Sequence, residues 1–180
     1  MSGDRLTVNA ATTTEPSSVD SQPQKSPSEL AVTFGGHSIA GVKCRNEDAF
    51  AAYLPASNGA NQLKGIATCI ADGVSCSENA QLASQTAVTL FIDDYYSTPE
   101  SWTVKTSAAR VLSSLNSWLY HHGRQDLQPQ NGAVTTLSAA IFKSRTAHLF
   151  HAGDSRIYRL RKGSLEQLTT AHSIFGSGGQ

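Results

Sequence analysis

The sequence predicts an α+β fold with helices layered on antiparallel sheet. Three observations carry this: short apolar runs rich in small and β-branched residues come first, two consecutive helical stripes occupy the middle, and further strand-like runs joined by tight turns follow. The two stripes succeed one another with no strand between them, whereas a parallel doubly wound sheet would alternate strand and helix.

Residues 1 to about 30 are dominated by Thr, Ser, Pro, Gln and Asn and contain no aromatic residue, so they read as a disordered polar tail unable to offset its chain entropy. The folded domain is expected over residues 31–180. AVTFGGHSIAG (31–41), DAFAAYL (48–54) and LKGIATCIAD (63–72) read as strands separated by turn-formers. A helix is expected at about 77–96, because Ser75 and Glu78 stand in capping-box spacing and Ala83, Ala87, Leu90, Phe91 and Asp94 share one stripe. Pro99 breaks that pattern. A second helix at about 102–122 carries the stripe Val104, Ala108, Val111, Leu112, Leu115, Trp118 and Leu119, with Gly123 ending it. The polar link RQDLQPQNGA then leads into VTTLSAAIF, TAHLFHAGD and SRIYRL, and RKGS (161–164) forms a tight turn into SLEQL. These runs predict an antiparallel meander.

The chain has 180 residues, enough for one domain with a sizeable core. Fourteen basic against fourteen acidic residues leave no net attraction to nucleic acid or anionic lipid, so partner choice must rest on local sites. Cys44, Cys69 and Cys76 show no metal-ligand spacing, and their odd number argues against a disulfide framework, which fits a reducing cytoplasm. No secretory-type leader and no membrane-spanning run is expected in this segment.

The informative feature is where the acids fall. Glu47, Asp48, Asp72 and Asp154 stand at strand ends or loop mouths beside glycine or turn residues. Asp72 leaves the end of an apolar strand, and Gly73 lets the backbone turn with its carbonyl exposed. Such carboxylates and carbonyls are hard oxygen ligands of the kind Mg²⁺ and Mn²⁺ prefer. Each has a plain alternative. An Asp before Gly is most often a turn residue, Glu47 and Asp48 could cap a strand, and Asp154 with Arg156 could be a structural ion pair. The histidines offer no rival site: His121 and His122 suit the end of a helix, while His148 and His151 lie on opposite faces of one strand.

Taken together and in order, GVKCRNEDAF, IADGVS, VTTLSAAIF and HLFHAGDSRIYRLRKGSLEQLTTAHS resemble the metal-dependent serine/threonine protein phosphatases of the PPM or phosphatase 2C type, over roughly residues 33–173. The stretch SENAQLASQTAVTLFIDDYYSTPESW looks most like bacterial proteins in which such a domain precedes a serine/threonine kinase domain. The resemblance implies a four-layer α-β-β-α sandwich and signalling by removal of phosphate from phosphoserine and phosphothreonine in proteins. It implies two Mn²⁺ or Mg²⁺ ions, with a third, weaker position. Asp72 would bridge the metals and Gly73 would offer its carbonyl, Glu47 and Asp48 would hold coordinated water, and Asp154 would lie near the third ion. A bridging water is then the nucleophile, so Asp72 and Lys43 are the catalytic candidates. Lys43 stands where the family usually has a phosphate-gripping arginine, with Arg45 two residues on; lysine supplies the charge but not the fork.

Other departures concern Val74, where animal members carry a histidine, and Ala171 before His172 and Ser173, where the family has D-H-S. Two further metal-binding Asp of the family have no counterpart in residues 174–180, so the domain is expected to be incomplete, without the C-terminal strands. Two functions compete: a phosphatase, and a catalytically incomplete module that binds phosphoprotein or a cognate kinase. A third possibility leaves NED, ADG and GDSR as turns and ion pairs only.

Overall fold

The computed structural model describes residues 5–7, 30, 32–56, 59, 61–75, 79–122 and 133–170. Its centre is a five-stranded sheet of neighbouring antiparallel strands in the order β1 (Arg5–Thr7), β2 (Asp48–Tyr53), β3 (Ile66–Asp72), β4 (Leu137–Lys143) and β5 (Thr146–Ala152). Between β3 and β4 the chain forms two consecutive helices, α1 (Ala80–Ser97) and α2 (Val104–His122). A separate two-stranded ribbon, β6 (Tyr158–Arg161) with β7 (Ser164–Gln167), follows.

Period-two alternation decides which sheet face carries the helices. Ala49 and Ala51 of β2, Ala67, Cys69 and Ala71 of β3, and Leu137, Ala139 and Ile141 of β4 are all buried in one core. Most of these are small, which lets α1 lie close on β2 and β3. Ala83, Ala87 and Phe91 of the predicted stripe are buried there, and so are Val88, Ile92 and Tyr95. This wider buried face follows from position: α1 is covered by the sheet on one side and by α2 on the other, so a single stripe understates it. The α2 stripe is buried at Val104, Ala108, Val111, Leu115 and Leu119, with Leu112 and Trp118 packed at its margin. His121 and His122 do lie in its last turn, where each ring Nδ1 donates to a carbonyl four residues back.

Several expectations need correction. Residues 32–40 of the run AVTFGGHSIAG form no strand. Part of the β2 edge, Ala51–Tyr53, is taken instead by β1, and Gly36 lies directly against the Phe50 ring, where a Cβ would come within 2.5 Å. Because β1 falls inside residues 1–30, the disordered-tail expectation does not hold at Arg5–Thr7; positions 1–4 and 8–29 lie outside the described residues. Helix α1 starts at Ala80 after Asn79, which makes no side-chain cap bond. Ser75 is committed elsewhere, and Glu78, Gly123 and the 171–173 element lie outside the described residues.

The 161–164 turn is confirmed. Lys162 and Gly163 both have positive φ, 50° and 78°, the mirror-image geometry that matches strand twist in a two-residue hairpin. The ribbon is exposed along its whole length, including Leu160 and Leu165. A helix layer on one face of the central antiparallel sheet, with a separate two-stranded ribbon after it, is thus the part of the expected α-β-β-α sandwich that the described residues include. No helix among them is long and apolar enough to cross a membrane.

Candidate functional site

The site grows from the register of β2 and β3. Asp48 opens β2, Asp72 ends β3, and the two face each other directly across the antiparallel pair. Both carry the parity of Phe50 and Ile70, opposite to the buried alanines, so their side chains stand on the face away from the helices. Like charges directly opposed in a sheet are unfavourable. Asp72 feels this: partial burial first, then the charge and hydrogen bond of Asp48, then Asp154 at longer range, hold its carboxyl above the usual aspartate range, with Lys43 pulling the other way. Asp48 and Asp72 thus share one mouth, with Asp154 and Lys43 within electrostatic reach of Asp72.

Backbone bonds fix Asp72 from both sides. Its N–H donates to Thr136 Oγ1 at 3.0 Å, and its carbonyl oxygen accepts from the Thr136 N–H at 2.9 Å and from Thr135 Oγ1 at 3.0 Å. The next residue continues the ladder toward β2, since the Gly73 N–H donates to the Glu47 carbonyl at 3.0 Å. Gly73 is needed for a reason that differs from the expected turn. Its φ is not positive; a Cβ there would meet the Ala80 carbonyl oxygen at 2.1 Å, so glycine lets the start of α1 settle onto the strand end. Gly153, by contrast, has φ of 112° and turns the chain out of β5 into Asp154. Ser155 then meets Thr136, Oγ to Oγ1, at 3.0 Å, tying the Asp154 loop to the strand that clamps Asp72.

On the other flank, Asn46 organises the approach. Its Oδ1 accepts from the Asp48 N–H at 3.0 Å, an Asx turn, while its Nδ2 donates to Ser38 Oγ at 2.8 Å. Lys43 Nζ donates to Glu47 Oε2 at 2.6 Å and to Ser75 Oγ at 2.7 Å, and Ser75 Oγ donates to the same Glu47 oxygen at 2.6 Å. These bonds pull the Glu47 carboxyl below its usual range, the Lys43 bond first, and push the Lys43 ammonium above its own. A cleft of about 240 Å³ opens beside the acid pair, lined by His37, Ser38, Phe50, Ile70 and Ser155 as well as Asp48 and Asp72.

The predicted site residues divide accordingly. Asp48 and Asp72 line the mouth; Glu47 and Gly73 are joined through their backbones beside it, Lys43 is tied to Glu47, and Asp154 lies within electrostatic reach of Asp72. Arg45 and Arg156 are exposed, and the ion pairs among the described residues are Lys43–Glu47 and Arg159–Glu166, so the alternative of a structural Asp154–Arg156 pair is not seen there. Sequence reasoning missed Asn46, Thr135, Thr136 and Ser155, and it read Ser75 as a helix cap. The short run of hydroxyls at 135–136, after the turn-rich link, was the available signal. As a donor set the mouth is made of hard carboxylate oxygens, crowded enough at Asp72 to disfavour its charge, which suits a divalent cation in kind. It is short in number: among the described residues, no group of three or more His, Cys, Asp or Glu could hold a metal ion.

Comparison with known proteins agrees with this geometry. The family model for protein phosphatase 2C matches residues 36–176. The serine/threonine phosphatase stp of Listeria welshimeri is 34% identical over 110 residues, 58% of this chain and 42% of the relative, and stp of Listeria monocytogenes matches to the same extent. The chain thus spans less than half the length of these curated relatives. The crystal structure of the Mycobacterium tuberculosis phosphatase PstP/Ppp superposes with a TM-score of 0.58 at 24% identity, over 77% of this chain and 53% of that one. The catalytic domain of a PstP in complex with two manganese ions has a TM-score of 0.57 at 26% identity, over 74% and 52% of the two chains. A family match over most of the chain, on a fold shared with these phosphatases, makes this protein a member of the protein phosphatase 2C family.

Proposed function

We propose that the mouth is part of a metal-dependent centre that hydrolyses phosphoserine and phosphothreonine in proteins. One observation carries the reading: the sheet register sets Asp48 against Asp72, with Asp154 close enough to raise the Asp72 pKa, an arrangement that is costly without a cation and that no ion pair among the described residues offsets. The manganese-bound PstP domain supports the choice of Mn²⁺ or Mg²⁺. Asp72 and the Gly73 carbonyl would hold the ions, Glu47 and Asp48 their water, and Asp154 a further, weaker position. When bound, the ions supply charge for the phosphoryl oxygens and lower the pKa of water.

The remaining work falls to this chain's own groups. Asp72 is held by three bonds to its own N–H and carbonyl, which fix the point of the backbone from which its carboxyl is offered. Lys43 supplies the positive point charge for the incoming phosphate, and Arg45, free of described partners, adds a second cation on the same loop. Phosphorylated proteins are the substrates, with a cognate serine/threonine kinase as partner, in the cytoplasm.

A second reading has its own observation. Glu47 Oε2 already accepts from both Lys43 and Ser75, which commits an oxygen that a metal's water would use and fits a module that binds phosphoprotein or a kinase without turnover. Hydrolysis of a phosphothreonine peptide with Mn²⁺ separates the two. Turnover that falls to background in Asp72→Asn supports the phosphatase; peptide binding without turnover in the unaltered protein supports the module.

A further inference from the structure

A lysine in a phosphate-gripping position has a physical shortcoming. Its ammonium sits on a flexible four-carbon stem and has no planar fork to set its direction. An exposed Lys–Glu pair four residues apart is a weak restraint by itself, and Lys43 is about half exposed in its pair with Glu47. The triangle with Ser75 changes this. Lys43 Nζ donates to both Glu47 Oε2 and Ser75 Oγ, and the Ser75 hydroxyl proton closes the ring on Glu47 Oε2. Two of the three ammonium protons are thereby committed in fixed directions, and the third is left for a ligand. Ser75 comes from the turn after β3, twenty-eight residues beyond Glu47, so the ring also ties the lysine loop to the strand end that carries Asp72.

We propose that Ser75 is a positioning residue for phosphate binding: it fixes the Lys43 ammonium at the mouth so that its remaining N–H meets a phosphoryl oxygen. Ser75 does for lysine what a guanidinium's planarity does for arginine. The inference rests on the reading of Lys43 as the phosphate-binding cation.

The test pairs Ser75→Ala and Ser75→Thr with the same changes made in a Lys43→Arg background. In calorimetric titration with inorganic phosphate in the presence of Mn²⁺, Ser75→Ala should weaken binding by about fivefold or more, the loss of one charge-assisted hydrogen bond. Ser75→Thr, which keeps the hydroxyl, should restore it. In the Lys43→Arg background Ser75→Ala should have less than about a twofold effect, because the fork supplies its own direction. If peptide turnover is measurable, the same pattern should appear in KM with kcat little changed. An equal loss in both backgrounds, no loss in either, or no phosphate binding by the unaltered protein would overturn the proposal. Phosphate binding that follows the expected pattern without any turnover would sustain Ser75 while sinking the catalytic reading, so the two fail separately.

Discussion

Lys43 and Lys64 are the same side chain in opposite settings. Lys64 is 5% exposed, and its ammonium donates to the Tyr95 carbonyl oxygen at 3.1 Å and to Thr98 Oγ1 at 2.6 Å, at the C-terminal end of α1. Its neighbours answer in kind: Tyr95 Oη donates to the Lys64 carbonyl at 2.9 Å and Tyr96 Oη to that of Gly65 at 2.7 Å, while Thr98 Oγ1 reaches Ser107 Oγ of α2 at 2.9 Å. A cation at a helix C-terminus meets the negative end of the macrodipole and satisfies carbonyls that the helix leaves open. Lys43 instead stands at an open rim among acids. Burial lowers the Lys64 pKa, whereas the Glu47 bond raises that of Lys43. The first lysine is used to join helix ends to the sheet; the second is kept outside the core, where a ligand can reach it.

The comparison predicts that stability resides on the helix side and ligand chemistry on the acid side. Phe91→Ala empties a fully buried site between sheet and helices and should cost about 3–5 kcal/mol in urea unfolding. Lys64→Met keeps most of the stem but loses the two bonds to the α1 end, and should cost about 2 kcal/mol.

The pH dependence of that second difference has a definite sign. Since folding lowers the Lys64 pKa from 10.5, the folded state disfavours its charge, so the unaltered protein should gain stability relative to Lys64→Met as pH rises through the lowered value toward 10.5. Tyr95, pushed up to about 12 by burial, works oppositely: its contribution is intact below pH 10 and is lost above it. Urea midpoints for both proteins between pH 7 and about 9.5 check the lysine effect before tyrosine ionises. The smallest stability effect is expected for Lys43→Ala, whose exposed pair should leave the urea midpoint unchanged while phosphate binding weakens. A Lys43→Ala protein as destabilised as Lys64→Met would break the contrast between the two regions.

Both regions were legible in the sequence to different degrees. The paired helices and strands β2 to β7 could be read because period-two and helical patterns record which face is buried. The order of NED, ADG and GDSR carried the acids at the mouth, because each stands where a strand meets a turn. Strand β1 left no such mark: three residues in a polar stretch pair through backbone bonds, which composition does not encode. The run at 31–41 misled for the converse reason, since apolar composition does not by itself supply the backbone pairing that makes a strand. Gly73 shows the same limit. Its value lies in the carbonyl of Ala80, seven residues on, and spacing alone could not distinguish that contact from a turn. Ser75 fitted a capping box locally and was claimed by Lys43 and Glu47, partners about thirty residues away.

The central claim is that register-opposed Asp48 and Asp72 make the mouth a divalent-cation site. Titration calorimetry of the chain with Mn²⁺, comparing the unaltered protein with Asp72→Asn and Asp154→Asn, tests it without requiring turnover. The account predicts saturable Mn²⁺ binding that Asp72→Asn abolishes and Asp154→Asn only weakens. Undiminished binding in Asp72→Asn, or none in the unaltered protein, would contradict it and leave the acid pair as a strand-end turn.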